Sequence, residues 1–155
     1  MNDWIDNEKA AADAQAEDRK VDGLLRLHKA KLISAKAPWF WNACLECLHS
    51  DSEKLRATFP NEMSKQFALM SDGIVCTIQG CKVPWKILQM QLNVVGQSVD
   101  ISEGRKESRN KTIPVGSDQI AIKINTEDEI EFYFRGVRYL APNDLAAGLA
   151  KYVRG

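Results

Sequence analysis

Gln119-Ile-Ala-Ile-Lys-Ile-Asn125 and Glu129-Ile-Glu-Phe-Tyr-Phe134 decide the fold class of this chain. Each run alternates apolar and polar residues with a period of two, the spacing of a strand that buries one face. With Thr126, Glu127 and Asp128 as the connection, Ile124 faces Ile130, Ile122 faces Phe132 and Ile120 faces Phe134. Lys123 then stands opposite Glu131 on the other face. All four pairs are of a favourable type, whereas a slip of one residue would turn every isoleucine toward solvent. The segment reads as an antiparallel hairpin.

The same period continues on both sides. Upstream, Ile74, Cys76 and Ile78 alternate with polar residues or valine, as do Leu88, Met90, Leu92 and Val94. Gly96-Gln97 reads as a turn, with Val99 and Ile101 in the strand that follows. Downstream, Arg135-Gly136 is a second turn into a short strand through Leu140. Ala141-Pro-Asn-Asp144 then opens a helix, with proline in its first turn and an acid at the positive end of its dipole. Leu145, Leu149, Tyr152 and Val153 fall on one face of it.

The N-terminal third has helical composition. Trp4 to Ala35 holds no proline and one glycine (Gly23) and is rich in Ala, Lys and Leu, and in Asp and Glu together. Ala37-Pro38 is expected to end this first helix, because the residue before proline is pushed out of helical geometry. A second helix is expected from Pro38 to about Ala57 or Thr58, with Trp39, Phe40, Trp41, Cys44, Leu45, Leu48 and Leu55 as its apolar face. The order is two helices, a run of short strands and one helix. That order predicts an α+β fold with a mostly antiparallel sheet. Residues 1–155 form one domain, with 38–155 as the compact body. Residues 1–20 are read as a helical arm that projects, frays or meets another chain.

Lys and Arg total 21 against 21 Asp and Glu, a formal charge of zero, which argues against a uniformly basic nucleic-acid binder. The zero is a sum of blocks. Residues 1–18 carry six acids and one base, and residues 19–36 six bases and one acid. No run has the composition of a secretory signal or a membrane helix, so a cytoplasmic location with reduced thiols is expected.

The Walker, Rossmann, nucleophile-elbow and zincin motifs are absent, and no cofactor is expected. Cys44 and Cys47 form a C-x2-C pair, and Cys76 and Cys81 a C-x4-C pair. Four thiols could hold zinc. The first pair, however, lies at helical spacing with Phe40 and Leu48, and Cys76 alternates with Ile74 and Ile78, so core positions are the favoured reading and metal ligation is not expected. His49, beside Asp51 and Glu53, reads as surface.

Three groups of residues could carry function. Val21, Leu25, His28 and Leu32 follow heptad spacing on the first helix, and with Trp39 and Trp41 they form the expected interface. Trp85, Met90, Phe132 and Phe134, with Arg135 or Arg138 as an anion anchor, would line a pocket between sheet and helices. Arg105, Lys106, Arg109 and Lys111 lie in a stretch from Ser102 to Ser117 expected to be a long basic loop, an anion contact if functional. The leading expectation is a non-enzymatic binding module acting as a homodimer. A small-molecule pocket is the second reading, and an RNA or DNA contact through the loop is the third.

Overall fold

The computed structural model describes residues 3–82 and 84–155. Among them the order is α1 (Asp3–Thr58), a 3-10 turn (Met63–Lys65), β1 (Phe67–Ser71), β2 (Val75–Gly80), β3 (Trp85–Asn93), β4 (Ser98–Ser108), β5 (Lys111–Ile124), β6 (Ile130–Phe134), β7 (Val137–Tyr139) and α2 (Pro142–Arg154). All seven strands join one antiparallel sheet, each paired with its neighbour in sequence. The α+β class with an antiparallel sheet is as expected.

The hairpin that decides the class has the expected register. Ile124 pairs with Ile130, Ile122 with Phe132 and Lys123 with Glu131, and the ladder ends at Ala121 with Tyr133. The turn closes through Asn125, whose backbone N–H donates to the Glu129 carbonyl at 3.0 Å. Its side-chain oxygen accepts from the backbone N–H groups of Glu127 and Glu129. At the next turn Arg135 and Gly136 both have positive φ, 51° and 80°, as a two-residue turn between twisted strands requires.

The two expected N-terminal helices are a single helix. α1 runs unbroken for 56 residues through both Gly23 and Pro38, a length of about 84 Å at 1.5 Å per residue. Pro38 removes one backbone donor and disfavours helix locally. Packing wins because Ile33, Ala37, Phe40, Trp41, Cys44, Leu48 and Ser52 form one buried stripe whose phase does not change across the proline. Each large side chain in that stripe contributes about 1.5–3 kcal/mol by burial, enough together to outweigh a local cost of about 3 kcal/mol.

That half of α1 and all of α2 cover one face of the sheet. Cys76, Ile78, Leu88, Met90, Val99, Ile120, Ile122 and Phe132 point into the interface and are essentially inaccessible. Phe40 of α1 stacks on Phe132 of β6 with ring centroids 4.1 Å apart. The buried Ser52 hydroxyl donates to the Phe67 carbonyl at 2.9 Å, fixing the far end of α1 to β1.

The long basic loop expected between Ser102 and Ser117 is also not a loop. It is the outer part of the β4–β5 hairpin, which turns at Arg109-Asn110 between the paired Ser108 and Lys111. Register shifts at Glu103/Gly104 and Lys106/Ser108 bend this ribbon.

Candidate functional site

Every α1 residue from Asp3 to Lys29 is exposed. The helix leaves the body near Ile33 and projects by about 40 Å at 1.5 Å per residue. The arm is thus longer than the expected 1–20, and Met1 and Asn2 lie outside the described residues. Trp4, Ile5, Val21, Leu24, Leu25 and Leu27 are large apolar residues on it, each at least 43% exposed. A lone helix in water is marginal, so an arm with this stripe has apolar surface to offer a partner.

The base of the arm is fastened to the hairpin turn. Asp128, in the left-handed region at φ 61°, accepts from His28 Nε2 at 3.3 Å, and its carbonyl accepts from Lys36 Nζ at 2.6 Å. His28 is exposed at the heptad position its spacing gives it, not buried, and its imidazole is paired with a carboxylate of the hairpin turn. Leu32 is half-buried against the core, Trp39 is 65% exposed and Trp41 is 3% exposed. Trp41 belongs to the core, and the interface group without it stays on one accessible side of α1.

The expected pocket between sheet and helices is filled. Met90, Phe132 and Phe134 are core side chains packed against α1 and α2. The two proposed anion anchors are engaged elsewhere. Arg135 pairs with Asp118 at 3.4 Å and lies over the Tyr152 ring, and Arg138 pairs with Glu131 at 3.5 Å. Glu131 also accepts from Tyr133 Oη and Asn125 Nδ2, and these bonds hold its carboxyl below the usual range. Trp85 is half-buried on β3 with Lys106 Nζ over its ring at 5.6 Å. Among the other expected anion contacts, Arg105 pairs with Glu107 at 2.9 Å and Lys111 approaches the same carboxylate at 4.0 Å. Arg109 sits at the exposed hairpin turn. The structure does not gather these cations into one concave site.

A feature the sequence reading missed lies on the open face of the sheet. Gln89, Gln91, Asp100, Ser102, Ser117 and Gln119 line a groove of about 730 Å³. The outward positions of β3, β4 and β5 supply these amides and hydroxyls, and the alternation read for the inward residues already marked them. Asp100 is held by Ser98 Oγ at 2.8 Å, Asn93 Nδ2 at 3.2 Å and Gln119 Nε2 at 3.3 Å.

Beside β3 and β4, Tyr152 of α2 is clasped by Glu103, which accepts a hydrogen bond from its hydroxyl, and by Lys86 and Arg135 over its ring at 4.2 and 4.8 Å. Burial first, and then the Glu103 bond, push its phenol up to about 12 from an ordinary 10. A phenol whose pKa is raised on folding contributes stability that is fully present below the unfolded value and lost as pH rises through the folded one. Tyr152→Phe is therefore expected to lower stability by about 1 kcal/mol at neutral pH, a charge-assisted bond discounted for its partly exposed setting. The difference from wild type should shrink between pH 10 and 12. Denaturant midpoints measured across that range check it, and parallel curves would count against the clasp.

Cys44 and Cys76 are core residues, and burial raises both thiols, Cys76 to about 11. Cys47 and Cys81 are half-buried, and all four thiols are free. His49 is exposed and pairs with Glu53 at 3.2 Å. Among the described residues no cluster of three or more His, Cys, Asp or Glu could hold a metal ion, and no helix is long and apolar enough to cross a membrane. In comparison with known proteins, the chain matches no family model, no curated protein and no solved structure.

Proposed function

We propose that the protein is a non-enzymatic binding module that works as a homo-oligomer joined through the projecting half of α1. The observation that carries this reading is the arm itself, exposed from Asp3 to Lys29 with Val21 and Leu25 half-accessible at heptad spacing. Burying such a stripe against another helix stabilises both. The proposal includes a cytoplasmic location, which the four free thiols fit.

Light scattering on the purified chain tests it. The expected result is an oligomer in the micromolar range that Leu25→Asp converts to a monomer, with the thermal transition of the body retained. A wild-type monomer at high micromolar concentration would remove the reading.

A second reading, a small polar ligand held on the sheet, is supported by the amide-lined and hydroxyl-lined groove. Native mass spectrometry of gently purified protein separates the two, since it weighs the oligomer and any retained ligand in one spectrum.

A further inference from the structure

We infer that the occupant of the arm is the arm of a second copy, lying antiparallel, with the partner's Trp4 seated in a cleft beside Trp39. This rests on the homo-oligomer reading above and adds orientation, register and an anchor to it.

The stripe fixes the register. Trp4, Ala11, Asp18, Leu25 and Leu32 recur every seven residues, and Asn7, Ala14, Val21, His28 and Ala35 form the companion row. Two copies run antiparallel about the middle of this stripe place Trp4 opposite Ala35, Ala11 opposite His28 and Ala14 opposite Leu25. Each of those layers sets a large side chain on a small one, so the helices can approach closely. Asp18 opposite Val21 is a weak layer, and so is Asn7 opposite Leu32, which is half-buried against its own body and lies beside the His28–Asp128 pair. The paired length is about four heptads, within the range at which such seams hold.

Charge selects the direction. In the antiparallel arrangement Glu8 flanks the partner's Lys29, and Asp3 flanks the partner's Lys31. The six-acid half thus lies along the six-base half in both directions. A parallel pair would set acid beside acid at Asp3/Glu8 and Glu17/Asp22 and base beside base at Lys31/Lys36, which is unfavourable. Antiparallel pairing also leaves the two bodies at opposite ends of the rod, where they do not collide.

The end of the seam meets a built feature. Next to Ala35, a cleft of about 410 Å³ is lined by Lys36, Trp39, Phe40, Ile130 and Leu140, with the Glu129 carboxylate among them. Trp39 and Leu140 are both at least half exposed at its rim. In the register above, the partner's first turn ends at this cleft. The indole of Trp4, 63% exposed on its own chain, is the aromatic anchor within reach of it.

The test mixes equal amounts of unlabelled and nitrogen-15-labelled full-length protein and applies a zero-length carbodiimide. Expected are mixed-isotope cross-links from Asp3 or Glu8 to Lys29 or Lys31. A dimer whose mixed links are confined to Glu17 or Asp18 with Lys20, or that yields none between the arm's ends, overturns the antiparallel register while the homo-oligomer reading stands. A monomer overturns both. In parallel, Trp4→Ala is expected to weaken the dimer by about tenfold or more, with Trp4→Phe keeping most of the affinity. Because Trp4 is exposed in the single chain, the variant folds. An unchanged dissociation constant for Trp4→Ala overturns the seating in the cleft.

Discussion

Phe132→Ala is expected to cost about 3–5 kcal/mol of folding stability, the range for deleting a buried phenylalanine. Phe132 is fully inaccessible and stacks on Phe40 with an interplanar angle of 14°. It is where the middle of α1 meets β6, so its loss opens a cavity at the joint between the helix layer and the sheet. Neither side can close that cavity alone. Ile122, its cross-strand partner, is held in register by the hairpin, and Phe40 is held by a helix anchored on both sides of it. Chemical denaturation should show a lowered midpoint with an unchanged slope. Val95→Ala, 97% exposed between β3 and β4 and away from α1, is the control and should change stability by less than about 0.5 kcal/mol. A loss below about 1 kcal/mol for Phe132→Ala would mean that the helix layer does not rest on this contact.

The second large effect is steric. Gly80 ends β2, and a Cβ there would lie 2.8 Å from the carbonyl oxygen of Val153 in the last turn of α2. That obstacle is backbone, so it cannot rotate away. Gly80→Val is expected to cost about 2–3 kcal/mol, at the upper end for overpacking, by lifting the end of α2 from the sheet. Amide exchange should accelerate first around Leu149 to Arg154. Gly23→Ala is its opposite, since nothing lies within 4 Å of an added Cβ inside a helix. It should stabilise the arm by up to about 1 kcal/mol and raise helicity. A Gly80→Val variant that melted like wild type would mean that the last turn of α2 does not rest on Gly80.

How far the fold could be read from the sequence depended on which force acted at each place. The Ile124/Ile130 and Ile122/Phe132 register was legible because period, volume and charge all selected it. The continuity of α1 was hidden because Pro38 speaks for a break on local grounds. The contrary signal was present in the unbroken phase of Ile33, Ala37, Phe40, Cys44 and Leu48 across the proline. The outer β4–β5 ribbon was invisible to periodicity because it buries no face, and without burial there is no alternation to read.

At the candidate site, the heptad spacing singled out Val21 and Leu25, both exposed on α1, and Trp39, grouped with them, is exposed too. Trp41 was misassigned with them, although residues two apart on a helix point about 200° apart and could not both face outward. His28 lies where its heptad position puts it, but its partner is Asp128, one hundred residues away. No local pattern reveals such a pair.

The sheet's topology has a consequence for how the chain reaches this state. Every strand pairs with the one made just before it, so the meander can assemble from short-range hairpins as it emerges from the ribosome. The helix that covers it is made first, yet its buried stripe packs against β1, β5, β6 and finally α2. Its apolar side must therefore wait, uncovered, while most of the remaining chain is synthesised. The last step of folding is therefore the docking of that earlier-made helix, not the formation of the sheet.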